Sequence, residues 1–170
     1  MKYILSTFLC LCLLSCTLEK KEYFDFDKIE HYHINIDDTE IFELNDNPLK
    51  SKLDSLKNEI ISSDAPQDIS DLHFIDKLEE MGFKKSLVNT SKFTSIRTIF
   101  TEKSTLFNET SRCEPIYRDI LIFKKQNKVI GTAKLCFDCM KSDIKGTTAN
   151  TDNFGQDGDF EKLEVILKNE

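Results

Sequence analysis

The chain opens with a single lysine and then an almost unbroken apolar run over residues 4–14. A spanning helix needs about 20 apolar residues, so this run is too short to cross a bilayer. A short basic start followed by an apolar core of roughly 7–15 residues predicts a secretory signal. Over residues 26–36 polarity alternates, with Tyr32, Ile34 and Ile36 on one side and His31, His33 and Asn35 on the other. Period two predicts a half-buried strand. Asn47-Pro48 reads as a helix start, with Asn as N-cap and Pro as the first helical residue. Leu49, Leu53, Leu56 and Ile60 form its apolar stripe, and Asp64-Ala65-Pro66 ends it. A second helix is expected over 70–81, turning Leu72, Phe74, Ile75 and Leu78 inward, with Gly82 as a C-terminal cap able to take a positive φ. Over 91–101, Phe93, Ile96 and Phe100 fit helical spacing while the threonines favour a strand; the spacing is followed here, and residues 101–112 read as a polar loop.

The clearest unit follows. Residues 117–123 and 129–137 are rich in β-forming side chains and flank Lys124-Lys125-Gln126-Asn127-Lys128, which predicts a hairpin. With Gln126 and Asn127 at its centre, opposed residues have numbers that add to 253. This register sets Asp119 opposite Lys134, Ile120 opposite Ala133, Phe123 opposite Ile130 and Tyr117 opposite Cys136. An acid facing a base and apolar facing apolar are favourable cross-strand pairs. Ile120-Leu121-Ile122-Phe123 is apolar on both faces, so this strand is expected inside the sheet and covered on both sides. A further strand is expected over 144–147, and a closing helix from Asp159 onward with Phe160, Leu163, Ile166 and Leu167 on one side. The pattern predicts an α+β fold: a small antiparallel sheet containing a central hairpin, with helices packed on it.

The end of the first apolar run changes its meaning. Leu13-Leu14-Ser15-Cys16 resembles the lipobox of bacterial lipoproteins. The resemblance implies that residues 1–15 are cleaved and that Cys16 carries lipid as the new N-terminus. It also implies an envelope protein held to a membrane, since more than one acyl chain binds a bilayer durably. Thr17 is not the aspartate that marks inner-membrane retention in some Gram-negative lipoproteins, which favours the outer membrane. Residues 16–25 are then a lipidated tether, and 26–170 a single α+β domain. Removing residues 1–15 takes away one lysine and no acid, leaving a net charge of −8. An acidic domain gains nothing from phosphate backbones, so nucleic acid is not expected as a partner. The Asn-x-Ser/Thr triplets at Asn89 and Asn108 have no meaning as glycan acceptors in a bacterial lipoprotein.

Cys113-Glu-Pro-Ile-Tyr-Arg-Asp119, the hairpin and Cys136-Phe-Asp-Cys139 resemble a group of small uncharacterised lipoproteins of Gram-negative bacteria. The likeness covers residues 113–167 well and the first half loosely. It implies a shared fold and no chemistry.

Besides Cys16, the mature chain has Cys113, Cys136 and Cys139. Export favours disulfides. The hairpin register carries Cys113 to a point across from residue 140, which makes Cys139 its nearest candidate partner and Cys136 the next. A Cys136/Cys139 redox pair is the alternative, but such a motif opens a helix, and here it ends a strand. Zinc on the three thiols would need a fourth ligand, and His31, His33 and His73 are all distant in sequence. His31 and His33 share a strand face, as two metal ligands could, though such a pair more often lines a solvated face. Residues 153–164 partly match a calcium loop, with Asp157, Gly158 and Glu164 in place, but Asn153 and Gly155 depart from it; a glycine-rich turn leading to Asp159 as helix cap is the reading adopted. Tyr117 and Asp119 on one strand face invite a site, yet Lys134 already accounts for Asp119. No catalytic residues, metal or cofactor are expected. The sequence points to a non-enzymatic envelope lipoprotein that binds another envelope protein or stiffens an assembly. An immunity-type lipoprotein neutralising an envelope-acting toxin and a thiol-redox protein are the alternatives.

Overall fold

A computed structural model describes residues 20–104 and 112–168. The signal, Cys16 and Asn108 lie outside the described residues. Five strands, β1 (Lys28–His33), β2 (Lys84–Leu87), β3 (Asp119–Lys125), β4 (Lys128–Cys136) and β5 (Lys141–Lys145), pair antiparallel in the order β2-β1-β3-β4-β5. Among the described residues four α-helices, α1 (Asp38–Asp46), α2 (Lys52–Ser62), α3 (Phe93–Ile99) and α4 (Asp159–Lys168), complete an α+β fold.

The helices lie on both faces. One face buries Leu121, Phe123, Ala133 and Leu135 with Ile96 and Ile99 of α3, Leu163 and Leu167 of α4 and the aromatic segment Tyr23, Phe24 and Phe26. The other buries Ile120 and Ile122 with Ile41 of α1, Ile60 and Ile61 of α2, and Phe74, Leu78 and Met81. β3 is the middle strand, and Ile120 to Phe123 are fully buried, as two-sided apolarity predicts. The packed chain starts earlier than the tether expected through residue 25. Glu22 bridges Thr101, and Tyr23 and Phe24 are buried, Phe24 stacked on Phe123 at 4.4 Å.

Several boundaries differ from expectation for local reasons. Asn47 caps the C-terminus of α1, and α2 begins after Ser51, whose hydroxyl accepts from the Asp54 amide; Leu49 is left exposed. Helix α1 itself was not expected, although Asp37 and Glu40 form a reciprocal capping box. Its apolar signal is thin, with Ile41 its buried residue. Over 70–81 there is a 3-10 turn, Ile75–Lys77, rather than a helix, and Gly82 follows with φ +99°. Phe74, Leu78 and Met81 are nonetheless buried. β2 is short, polar and at the sheet edge, where lysines discourage further pairing.

The hairpin turn falls where expected, with Gln126 and Asn127 both at positive φ (48° and 64°). Lys125 opposes Lys128 and Lys124 opposes Val129, in the predicted register. The register then shifts by one: Phe123 opposes Gly131, Ile120 opposes Lys134 and Asp119 opposes Leu135. Ile130 is the extra residue, a β-bulge on β4. One residue of slip reverses which face each partner occupies. The expected Asp119–Lys134 ion pair is therefore absent: the two point to opposite faces.

Candidate functional site

Strand alternation carries His31 and His33 of β1 to the α4 side of the sheet, together with Ile29. Alternation along β3, with Leu121 and Phe123, brings Asp119 to the same side. His33 is the direct cross-strand partner of Asp119, and His31 lies two residues along, opposite Leu121. One carboxylate oxygen, Oδ1 of Asp119, lies 2.8 Å from Nε2 of His31 and 2.9 Å from Nδ1 of His33. The three ligand atoms all lie within 4.8 Å of one another. His31 and Asp119 are buried, whereas the His33 side chain is 48 % exposed. The pair does not simply line a solvated face, because the inner histidine, His31, is buried.

His33 and Asp119 open into a cavity of about 180 Å³, whose rim includes Arg118, Asp138, Glu164 and Lys168. Arg118 is engaged with Asp38 (3.1 Å), Asp138 (2.9 Å) and the Ile36 carbonyl (3.0 Å). Glu164 pairs with Lys168 one turn along α4, at 2.6 Å. Among the described residues no lysine or arginine pairs with Asp119. A carboxylate accepts and does not donate, so each imidazole presents an N–H to the shared oxygen. Two imidazoles and one carboxylate converging at the edge of a cavity are a donor set suited to a borderline divalent metal.

The other candidate residues fall elsewhere. Cys113 and Cys139 form a disulfide with their Cα atoms 5.7 Å apart, the nearest-partner pairing of the hairpin argument. Cys136 is a free, buried thiol, so the Cys136/Cys139 redox pair is not formed. Tyr117 packs with Cys136 and Cys139, and burial, with help from Asp143, pushes its phenol up to about 12. It does not share a site with Asp119. Lys134 sits over the Tyr117 ring at 4.5 Å, donates to the carbonyls of Ile60 and Ser63, and lies 3.4 Å from Asp143. Burial brings its ammonium down to about 8 against the opposing pull of Asp143. Lys134 thus has a partner that sequence reasoning missed, on the next strand rather than the previous one. In the calcium-like stretch, Asn153 bonds to Lys103 and Gln156, Phe160 packs against Gly155, and Asp159 pairs with Lys103 at 3.1 Å as the first residue of α4 rather than its cap. His73 is exposed beside Asp71.

A signal for the missed register was present in the sequence. An isolated glycine within a strand pattern marks a bulge or a close approach. Gly131 is both: it follows the bulged Ile130, and a Cβ there would come within 2.1 Å of the Phe24 ring. Compared with protein-family models, with curated proteins and with solved structures, the chain matches none.

Proposed function

We propose that this chain is a bacterial envelope lipoprotein, anchored through lipid on Cys16, with an outer-membrane location favoured by Thr17. The observation that carries this reading is Leu13-Leu14-Ser15-Cys16 at the end of a short apolar run. Two features agree with it. Cys113–Cys139 is a bond of oxidising compartments. Glu22, six residues after Cys16, is already paired with Thr101, so a lipid on Cys16 would hold the domain close to the bilayer. The domain's role is binding or structural rather than catalytic, with another envelope protein as its partner.

The anchor is tested by changing Cys16→Ser and following metabolic incorporation of fatty acid together with membrane fractionation. Lipid incorporation and tight membrane association are expected to disappear. A variant that still carries lipid and sediments with membranes removes the proposal.

A further inference from the structure

We propose that His31, His33 and Asp119 form a binding site for one divalent cation of the zinc class, reversing the expectation that this histidine pair serves no metal. The proposal is independent of the lipid anchor, because all its ligands lie in the folded domain.

Three observations carry it. The donor atoms already converge, with Nε2 of His31 and Nδ1 of His33 at 2.8 and 2.9 Å from a single carboxylate oxygen and all three atoms within 4.8 Å of one another. Bonds of about 2.0–2.1 Å to a tetrahedral zinc separate its donors by about 3.4 Å, so the carboxylate withdraws by about half an ångström and the two imidazole nitrogens, within 4.8 Å of one another, adjust to the same spacing. The ligands also stand on paired strands in the interior of the sheet, β1 flanked by β2 and β3, and β3 flanked by β1 and β4. Their spacing is therefore set by backbone ladders rather than by a loop. Finally, Asp119 is buried without a lysine or arginine partner among the described residues. A carboxylate in that position is complemented by imidazole N–H groups or by a metal that displaces their protons.

The site is three-coordinate from protein and open on one side. His33 and Asp119 line the cavity, so the fourth position faces water there. Imidazole with carboxylate suits zinc, nickel and copper rather than magnesium or calcium, which take oxygen ligands. The thiols do not compete, since two are in the disulfide and Cys136 is buried.

The test uses the full chain in non-ionic detergent, without a polyhistidine tag and after treatment with a chelator. Zinc is titrated by calorimetry, and histidine ring signals are followed by NMR in the unmodified protein. One equivalent is expected to bind. The ring resonances of His31 and His33 should move together while those of His73 stay. His33→Ala, a change at a half-exposed side chain that leaves the packed core intact, should weaken zinc at least about tenfold, and His73→Ala should leave it unchanged. Calcium and magnesium should not displace it. The proposal is overturned by any of three results: no saturable zinc uptake, ring signals of His31 and His33 that do not respond, or a folded His33→Ala variant with unaltered affinity.

Discussion

Glu30 and Asp119 are buried carboxylates on neighbouring strands, and they are neutralised in different ways. Glu30 faces the α1–α2 side, where three lysines converge on it: Lys124 at 2.8 Å and Lys28 at 3.0 Å on one oxygen, Lys85 at 3.0 Å on the other. Burial is the largest single influence on this carboxyl and raises it, but the hydrogen bonds from Lys124, Lys85 and Lys28 together outweigh burial and hold it down at about 2. Asp119 faces the α4 side and has two imidazoles on one oxygen. An ammonium group has no lone pair to offer a metal, whereas an imidazole loses its proton and becomes a ligand. The first cluster can only be an ion-pair network. The second is an arrangement in which protons can be exchanged for a cation.

The disulfide is the brace nearest Asp119 along the chain, and removing it has the largest expected effect. Cys113 precedes Asp119 by six residues, and its bond to Cys139 fixes how the chain enters β3. A loop of 26 residues closed in this way contributes about 3.5 kcal/mol in the chain-entropy account. The paired change Cys113→Ser/Cys139→Ser is expected to lower unfolding stability by about that much in urea. Amide exchange should accelerate at residues 116–119 ahead of residues 28–32. Equal acceleration at both carboxylates would mean that the disulfide braces the whole sheet, and the two regions would not be separable.

Changing Glu30→Gln tests the other side. The carboxyl is held below its ordinary value, so its contribution is complete above the usual carboxylate range of about 4.3 and is lost as pH falls through that value towards 2. The glutamine keeps the shape and removes the charge. A loss of about 3 kcal/mol at neutral pH is expected, together with a flatter fall in stability between about pH 4 and 2. Urea midpoints across that range measure both. An acid limb that is as steep in the variant as in the parent would show that the three lysines do not hold Glu30 ionised.

Much of this contrast was legible in the chain and part of it was not. Alternation over β1 placed His31 and His33 on one face, and two-sided apolarity placed β3 in the interior, because both patterns report burial directly. The turn at Gln126 and Asn127 was legible because a short polar break, Lys124 to Lys128, separates two β-rich runs. The meeting of Asp119 with the histidines was not, because it depends on which residues of β1 and β3 pair across 86 positions of chain, and composition does not reveal register. A favourable acid–base pair made the unbulged register look right, while Gly131 was the one residue that spoke against it. Lys134 was misassigned because of the single extra residue at Ile130, which turns it to the other face. Its partner Asp143 is on β5, the strand whose limits the sequence marked least well: 144–147 was expected and Lys141–Lys145 observed. Helix α1 and strand β2 were missed for a different reason, since both bury little and their placement comes from packing rather than from period.

The smallest expected effect concerns redundancy. Lys28 is one of three cations on Glu30, and its side chain is 39 % exposed, so its ammonium is largely solvated with or without the pair. Exposed ion pairs contribute between nothing and about 1 kcal/mol. Lys28→Ala should therefore cost no more than about 0.5 kcal/mol, with Lys124 and Lys85 still bonded to the carboxylate and its titration still well below the usual range. Urea unfolding and the carboxyl carbon signal of Glu30 followed by NMR during acid titration provide the two readings. A cost near 2 kcal/mol would mean that the lysines act as one cooperative unit, and the ion-pair network would then be as indivisible as the His31–His33–Asp119 set. That set is expected to behave differently because a cation is held by all three donors at once. Losing one charge of three from Glu30 leaves a neutralised carboxylate, whereas losing one ligand of the three in the His31–His33–Asp119 set leaves two donors and much weaker binding.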